Sequence, residues 1–185
     1  MLYDVYMLTG KTELLHRCET ALRLLLKRFE TYIGESGVLE NPPDYMFVDW
    51  ILLDQNGNNT DPTNMMSHGN FEGYSLHHPP KALGQGVLCM FYYNALLKCA
   101  KIFAILGDSD FAKSCNKKAQ SLKKAINKNL FDKKRGLYIG GLNTADNVPN
   151  GRWLPENTYN IFYLKQANTL AVLYGIAPEE NRKSI

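Results

Sequence analysis

Two consecutive helical patterns of opposite character constrain the fold of this chain more than any other feature. From residue 84 to 106 apolar side chains occupy almost every side of the predicted helix, which indicates a helix packed on most of its surface. From about residue 110 to 131 the apolar side chains form one narrow stripe, and lysines cover the other faces. A buried helix followed directly by a helix with one solvent-exposed face is typical of two concentric rings of helices. The sequence therefore predicts an all-α domain with an inner and an outer layer.

The remaining patterns complete a prediction of about five helices joined by long loops. One helix covers residues 1–9, and a second follows Thr12, which we expect to be its N-cap. Residues 159–174 predict another helix, and Pro178-Glu179-Glu180 is typical of the first turn of a further one. Residues 53–80 show no periodicity, and a loop of that length is usually functional. Because the first pattern lacks a cap and the last one only begins, we expect residues 1–185 to form one incomplete helical domain.

Composition and charge exclude several classes of function. The net charge of +3 arises largely from lysines on one helix, without the interleaved aromatic residues of a nucleic-acid surface, so we expect no nucleic-acid partner. The four cysteines form no C-x-x-C pair and fall on apolar stripes, which favours buried free thiols over disulfides or a metal site. We find no signal peptide and no apolar run of the ~18 residues that span a membrane. We therefore expect no membrane partner, and the compartment stays open.

The pair Asp49-Trp50 is the strongest candidate for ligand binding. It follows a Pro-containing extended segment between two predicted helices. A carboxylate accepts hydrogen bonds from sugar hydroxyls, and an indole ring offers an apolar plate to the C–H face of a pyranose. The alternative is a core tryptophan that closes one end of the barrel. The adjacent carboxylate favours the sugar-binding interpretation, because a charge inside a dry core is costly.

Two further loop residues are candidates for the same sugar subsite. Trp153 either forms a second platform or anchors its loop, and Glu72 would add hydrogen bonds to hydroxyls. Histidines His68, His77 and His78 lie near Glu72, but their spacing matches no helical or hairpin metal site. We therefore predict substrate-binding roles for Asp49, Trp50, Trp153 and Glu72, and no metal.

Five stretches of the chain together resemble a known family. They are YDVYMLTGK at residues 3–11, FVDW at 47–50, YYNAL at 92–96 with LGD at 106–108, Gly136-Leu137-Tyr138, and QANTLAVLYGI at 166–176. In this order and spacing they resemble the middle of the catalytic (α/α)6 barrel of glycoside hydrolase family 78, the α-L-rhamnosidases. The resemblance covers essentially the whole chain and implies a partial (α/α)6 toroid of the six-hairpin glycosidase type.

The resemblance also implies a reaction and shows what this chain lacks. It implies hydrolysis with inversion, in which one carboxylic acid protonates the leaving oxygen and a second carboxylate activates water. It implies a terminal deoxy-sugar, with α-L-rhamnose as the expected substrate, and no cofactor. Family members carry the general acid in a motif that begins Asp-Cys-Pro, which this chain lacks, and the general-base Glu on a later loop. Gln85 stands where related enzymes often carry an acid, and an amide cannot transfer a proton. We therefore assign no catalytic residue and expect the isolated chain to be inactive.

Two alternatives remain beside this interpretation. The first is a helical-hairpin interaction module without catalytic activity, which the roughly regular helix spacing favours. Against it, the helices differ in character, and the loops are long and carry aromatic and acidic residues. The second keeps the toroid but changes the chemistry to another glycosidase or a polysaccharide lyase. A toroid that is cut open exposes the sides of its inner helices, so we also expect self-association of the isolated chain.

Overall fold

The structure is a computed structural model that describes residues 1–40, 51–53, 74–76, 83–143, 163–183 and 185. Five α-helices lie within these residues. They are α1 (Leu2–Thr9), α2 (Glu13–Glu30), α3 (Gly86–Ile105), α4 (Ser109–Asn129) and α5 (Lys165–Leu173). One turn of 3₁₀ helix follows at Glu179–Asn181. The predicted all-α class is confirmed, because helices dominate the described part of the chain.

Short strands in the connections form three two-stranded antiparallel sheets. The strands are β1 (Ile51–Leu53), β2 (Tyr74–Leu76), β3 (Leu83–Gln85), β4 (Phe131–Asp132), β5 (Leu137–Tyr138) and β6 (Gly141–Asn143). Strand β1 pairs with β2, β3 with β6, and β4 with β5. None of these strand pairings was predicted from the sequence.

Burial confirms the predicted inner and outer helices. Twelve residues of α3 are buried, and they lie on nearly all of its sides. In α4 the buried residues form one stripe, which comprises Ala112, Cys115, Ala119, Leu122 and Ile126. The two helices pack against each other as an antiparallel hairpin, and α5 and α2 pack on α3. Helix α3 is therefore the centre of the core.

Helix α3 is also long and apolar enough to cross a membrane by length and composition alone. This corrects the expectation that no such run exists. Only Asn94, Lys98 and Lys101 interrupt the apolar sequence of α3. However, 56% of its most apolar window is buried inside the protein, and the central helix of a compact fold passes the same test.

The turn between α3 and α4 is held by a network that reaches α2. Gly107 has a left-handed backbone with φ 87°, which ends α3. Asp108 then caps α4, and its carboxylate accepts a hydrogen bond from Phe111 N at 2.9 Å. The guanidinium of Arg23 on α2 pairs with Asp108 and lies 4.3 Å from the ring centroids of Phe103 and Phe111. This network fixes α2 against the base of the α3–α4 hairpin.

Helices α1 and α2 lie at the edge of the described core. Helix α1 buries no residue, and its Asp4 forms an ion pair with Lys98 of α3 at 2.8 Å. Helix α2 buries only Leu15 and Leu26. Leu25, next to Leu26 in sequence, is 53% exposed. The apolar face of α2 is therefore covered only in part.

Three predicted helix ends are wrong in detail. The side chain of Thr12 makes no capping hydrogen bond, and its backbone is already helical. The described part of the last long helix begins at Lys165 and not near residue 159, since Tyr163 and Leu164 are not helical. Pro178 precedes a single 3₁₀ turn and not the first turn of an α-helix.

Candidate functional site

The N-terminal end of α3 is bound closely to the segment that follows β5. Strand β3 pairs with β6, so Gln85 lies opposite Gly141. At the next residue, Gly86 donates a backbone hydrogen bond to Gly140 O at 3.1 Å. A Cβ atom on Gly86 would lie 2.8 Å from Ile139 O, so a larger residue would force the two backbones apart. The glycine-rich start of α3 thus serves a close backbone approach.

The four predicted sugar-binding residues, Asp49, Trp50, Glu72 and Trp153, lie outside the described residues. Their sequence neighbours are described in part. Trp50 directly precedes β1, and Glu72 comes two residues before β2. The register of β1 and β2 sets Ile51 opposite Leu76 and Leu53 opposite Tyr74. The assignment of these four residues to one subsite stays a prediction. His68, His77 and His78 also lie outside the described residues.

Three described carboxyl groups have clearly shifted pKa values, and all three shifts are downward. The Lys98 ammonium, followed by the N-terminal amine, lowers the pKa of Asp4 to about 2. The Phe111 N–H, followed by Arg23, lowers the pKa of Asp108. The hydrogen bond from the Tyr163 hydroxyl lowers the pKa of Asp132. A general acid requires a raised pKa, so none of these three groups is suited to that role.

The described cysteine thiols are unsuited to nucleophilic chemistry where they are buried. Burial raises the pKa of Cys89 to about 12 and that of Cys99 to about 11. It also raises the pKa of Cys115. The Sγ atom of Cys89 accepts a hydrogen bond from Leu39 N at 3.2 Å, which gives this thiol a packing role. Within the described ranges, no group of three or more His, Cys, Asp or Glu side chains is arranged to hold a metal ion.

A groove of about 430 Å³ lies between the C-terminal end of α2 and the outer side of α4. The sequence analysis did not predict it. Its lining comprises Glu30, Ile33, Gly37, Tyr92, Ser114, Lys117, Lys118, Ser121 and Leu122. The lining positions on α4 share one face of the helix, which the sequence analysis treated as a solvated outer surface. No sequence signal marks the groove, because the loop of residues 33–37 completes its wall.

Comparison with known proteins supports the fold. The sequence matches no protein-family model and no curated protein sequence. The structure is similar to that of the GH78 family rhamnosidase of Bacillus sp. GL1, with a TM-score of 0.67 and 20% sequence identity. The similarity covers 98% of this chain and 15% of that protein, so the chain spans less than a fifth of its neighbour. The chain therefore has the fold of an all-α fragment that resembles part of a GH78 rhamnosidase.

Proposed function

We propose that this chain forms part of the helical barrel of a glycoside hydrolase that acts on a terminal deoxy-sugar, with α-L-rhamnose as the sugar. The observation that carries the proposal is the structural likeness to a GH78 rhamnosidase over 98% of the chain. Two features of the described residues agree with it. Helix α3 is packed on nearly all sides, as an inner barrel helix would be. Helix α4 is solvent-exposed on one side, as an outer helix would be.

The proposed sugar-binding residues are Asp49 and Trp50, with Glu72 and Trp153 in supporting roles. Asp49 accepts hydrogen bonds from sugar hydroxyls, and Trp50 stacks on the apolar face of the ring. The C6 methyl group of a 6-deoxy-sugar enlarges that apolar face, which favours an aromatic platform. Asp49 and Trp50 directly precede β1, Glu72 lies two residues before β2, and Trp153 lies about ten residues after β6.

The proposed reaction is hydrolysis with inversion by two carboxyl groups, neither of which is assigned to this chain. The acid must have a raised pKa and the base must activate water on the opposite face of the sugar. Asp4, Asp108 and Asp132 have lowered pKa values and bind partners within the protein. We expect the 185-residue chain to bind the sugar without hydrolysing it.

Substitution of Trp50 tests the proposal. We expect L-rhamnose to bind the chain weakly and Trp50→Ala to weaken binding roughly ten-fold, because a lost stacking contact is worth about 1–1.5 kcal/mol. Ligand-observed NMR with L-rhamnose measures the affinity, and L-mannose, which differs from L-rhamnose only by a hydroxyl at C6, is the matched sugar. Thr169→Ala, an exposed change on α5, is the protein control.

Equal binding of both sugars, or an unchanged affinity in Trp50→Ala, would contradict the proposed subsite. A second assay follows release of 4-nitrophenol from its α-L-rhamnoside by the same chain. We expect none, and a rate that scales with enzyme concentration and survives purification would overturn the assignment of both catalytic carboxyls to positions outside these 185 residues.

A further inference from the structure

The groove between α2 and α4 has a rigid floor. The Tyr92 ring stacks on Phe29 with 5.5 Å between centroids and 21° between planes. The Tyr92 hydroxyl donates a hydrogen bond to Leu26 O at 3.2 Å, so both ends of this side chain are fixed. Leu122 of α4 is buried beside it. An apolar surface that is ordered before a ligand arrives binds at a low entropic cost.

Two contacts hold the walls of the groove at a fixed distance. Glu30 at the end of α2 and Lys118 on α4 form an ion pair of 2.7 Å, which joins the two helices. At the opposite wall Gly37 has φ +78°, and a Cβ atom there would lie 3.0 Å from Ala125 Cβ. The loop after α2 is thus seated directly against α4. The groove is a built feature of the fold, and its volume of about 430 Å³ is within the usual range for small-molecule sites.

The charge at the groove is positive and is not compensated by the described residues. Since Glu30 and Lys118 neutralise each other, Lys117 contributes the net charge. The side chains of Lys117, Ser114 and Ser121 make no hydrogen bond or ion pair with any residue in the described ranges. These three side chains lie on one face of α4, where they present an ammonium group and two hydroxyls to the groove. Hydrogen-bond donors above an apolar floor are complementary to a ligand that has an anionic head group and an apolar body.

We propose that this groove binds a small organic anion with a carboxylate head and an aromatic or alicyclic body. The ring lies on Tyr92 and Leu122, and the carboxylate accepts hydrogen bonds from Lys117 and from a serine hydroxyl. The site lies between α2 and the outer side of α4, and the proposal uses only described residues and none of Asp49, Trp50, Glu72 and Trp153. This proposal is therefore independent of the proposed glycosidase function.

Titration with 2-naphthoate and its neutral analogue 2-naphthamide, followed by amide NMR of the 185-residue chain, tests the proposal. We expect naphthoate to shift the signals of groove residues, and naphthamide to bind about five- to ten-fold more weakly, because it lacks the charge that pairs with Lys117. Lys117→Gln should lose the same factor. Lys113→Gln is the matched control, since Lys113 is exposed on the same helix and does not line the groove.

A second variant tests occupancy of the groove. Ser121 is exposed, so Ser121→Phe should leave the fold intact while its ring fills the space above Leu122 and abolishes naphthoate binding. The proposal is overturned if naphthoate does not bind, if naphthamide binds equally well, or if Lys113→Gln and Lys117→Gln have equal effects. Signal shifts centred on exposed apolar residues such as Leu24 and Leu25 would also overturn it, because they would show adsorption outside the groove.

Discussion

Asn168 is the buried polar residue on which the C-terminal half of the described core depends. Asn168 is 8% exposed, and its side-chain amide pairs with the Tyr138 backbone as an adjacent strand would. The amide oxygen accepts a hydrogen bond from Tyr138 N, and the amide nitrogen donates to Tyr138 O, both at 2.8 Å. The same nitrogen donates to Leu164 O at 2.9 Å. One side chain thereby satisfies backbone groups of β5 and of the start of α5.

We predict that Asn168→Leu lowers the free energy of unfolding by about 2–4 kcal/mol, because the buried N–H and C=O of Tyr138 lose their partners. Asn168→Asp should also destabilise, since a carboxylate cannot donate to Tyr138 O or Leu164 O. Urea unfolding followed by circular dichroism measures both changes. Thr169→Ala, an exposed neighbour on the same helix, should change stability little. Equal midpoints for Asn168→Leu and Thr169→Ala would show that the paired hydrogen bonds add nothing.

The sequence alone does not predict such residues. Position 168 has no periodic signal that separates a solvated asparagine from one that pairs with a distant strand. The same is true of Arg23, whose partners Phe103, Asp108 and Phe111 are remote in sequence. Local patterns can indicate a cap such as Asp108, because a cap depends on neighbours within one turn. They failed at Thr12, where the side chain makes no capping hydrogen bond.

At the scale of elements, Asp108 connects three helices through one carboxylate. It caps α4, follows the end of α3 and pairs with Arg23 of α2. Its pKa is lowered first by the Phe111 N–H and then by Arg23. A group whose pKa is lower in the folded state stabilises the fold above the ordinary carboxyl pKa of about 4, and this contribution is lost as the pH falls.

We therefore predict that Asp108→Asn destabilises the protein at neutral pH and that the difference from the parent chain shrinks below about pH 4. Asparagine keeps the capping oxygen but loses the charge that pairs with Arg23. Urea midpoints measured between neutral and acidic pH give the profile. Asp110→Asn, an exposed change in the first turn of α4, is the control. A difference that stays constant as the pH falls would show that the ionised carboxylate has no special role.

The helices were predictable and the strands were not, for one physical reason. Helices α3 and α4 are long, and their apolar residues recur at the helical period, so each pattern is repeated several times. Strands β1 to β6 have only two or three residues each, which is too short for an alternation to be visible. Their pairing also joins segments that are distant in sequence, such as β3 and β6. The glycine-rich start of α3 was visible in the sequence, but the segment around Gly141 that pairs with it was not.

At the scale of the whole molecule, exposed apolar side chains concentrate on α1 and α2. Leu8 is 87% exposed and Leu24 is 63% exposed, and Met7 and Leu25 are exposed beside them in sequence. Larger exposed apolar areas of this kind favour association between proteins. An open barrel is expected to self-associate, and these exposed residues indicate the surface through which it would do so.

We predict that the apparent mass of the chain in sedimentation velocity rises with concentration, and that Leu24→Gln with Leu25→Gln reduces this rise. Because both side chains are already exposed, the free energy of unfolding should change by less than about 0.5 kcal/mol. Lys27→Gln, an exposed change on the same helix, should leave the association unaltered. A parent chain that remains monomeric at all concentrations, or a double variant that associates like the parent, would contradict the prediction.

The predicted sugar site depends on loops whose relative positions the sequence does not predict. Asp49 and Trp50 were chosen for their chemistry, and chemistry alone does not decide which loops converge. Convergence depends on the long connections that lie outside the described residues, and those have no periodic pattern. The helical fold was predictable because its helices carry repeated signals, whereas the assembly of the predicted subsite depends on loops without them.

The pairing of β3 with β6 has a consequence for the order in which the molecule folds. The whole α3–α4 hairpin and the β4–β5 turn lie between these two strands. Joining ends so far apart in an unfolded chain is slow and entropically costly. Once the two helices pack antiparallel, however, the start of α3 and the end of α4 lie at the same end of the hairpin, and the loop left to close is short. We therefore expect the two strands to pair late, after the helices between them have packed, and residues 83–143 to open as one unit.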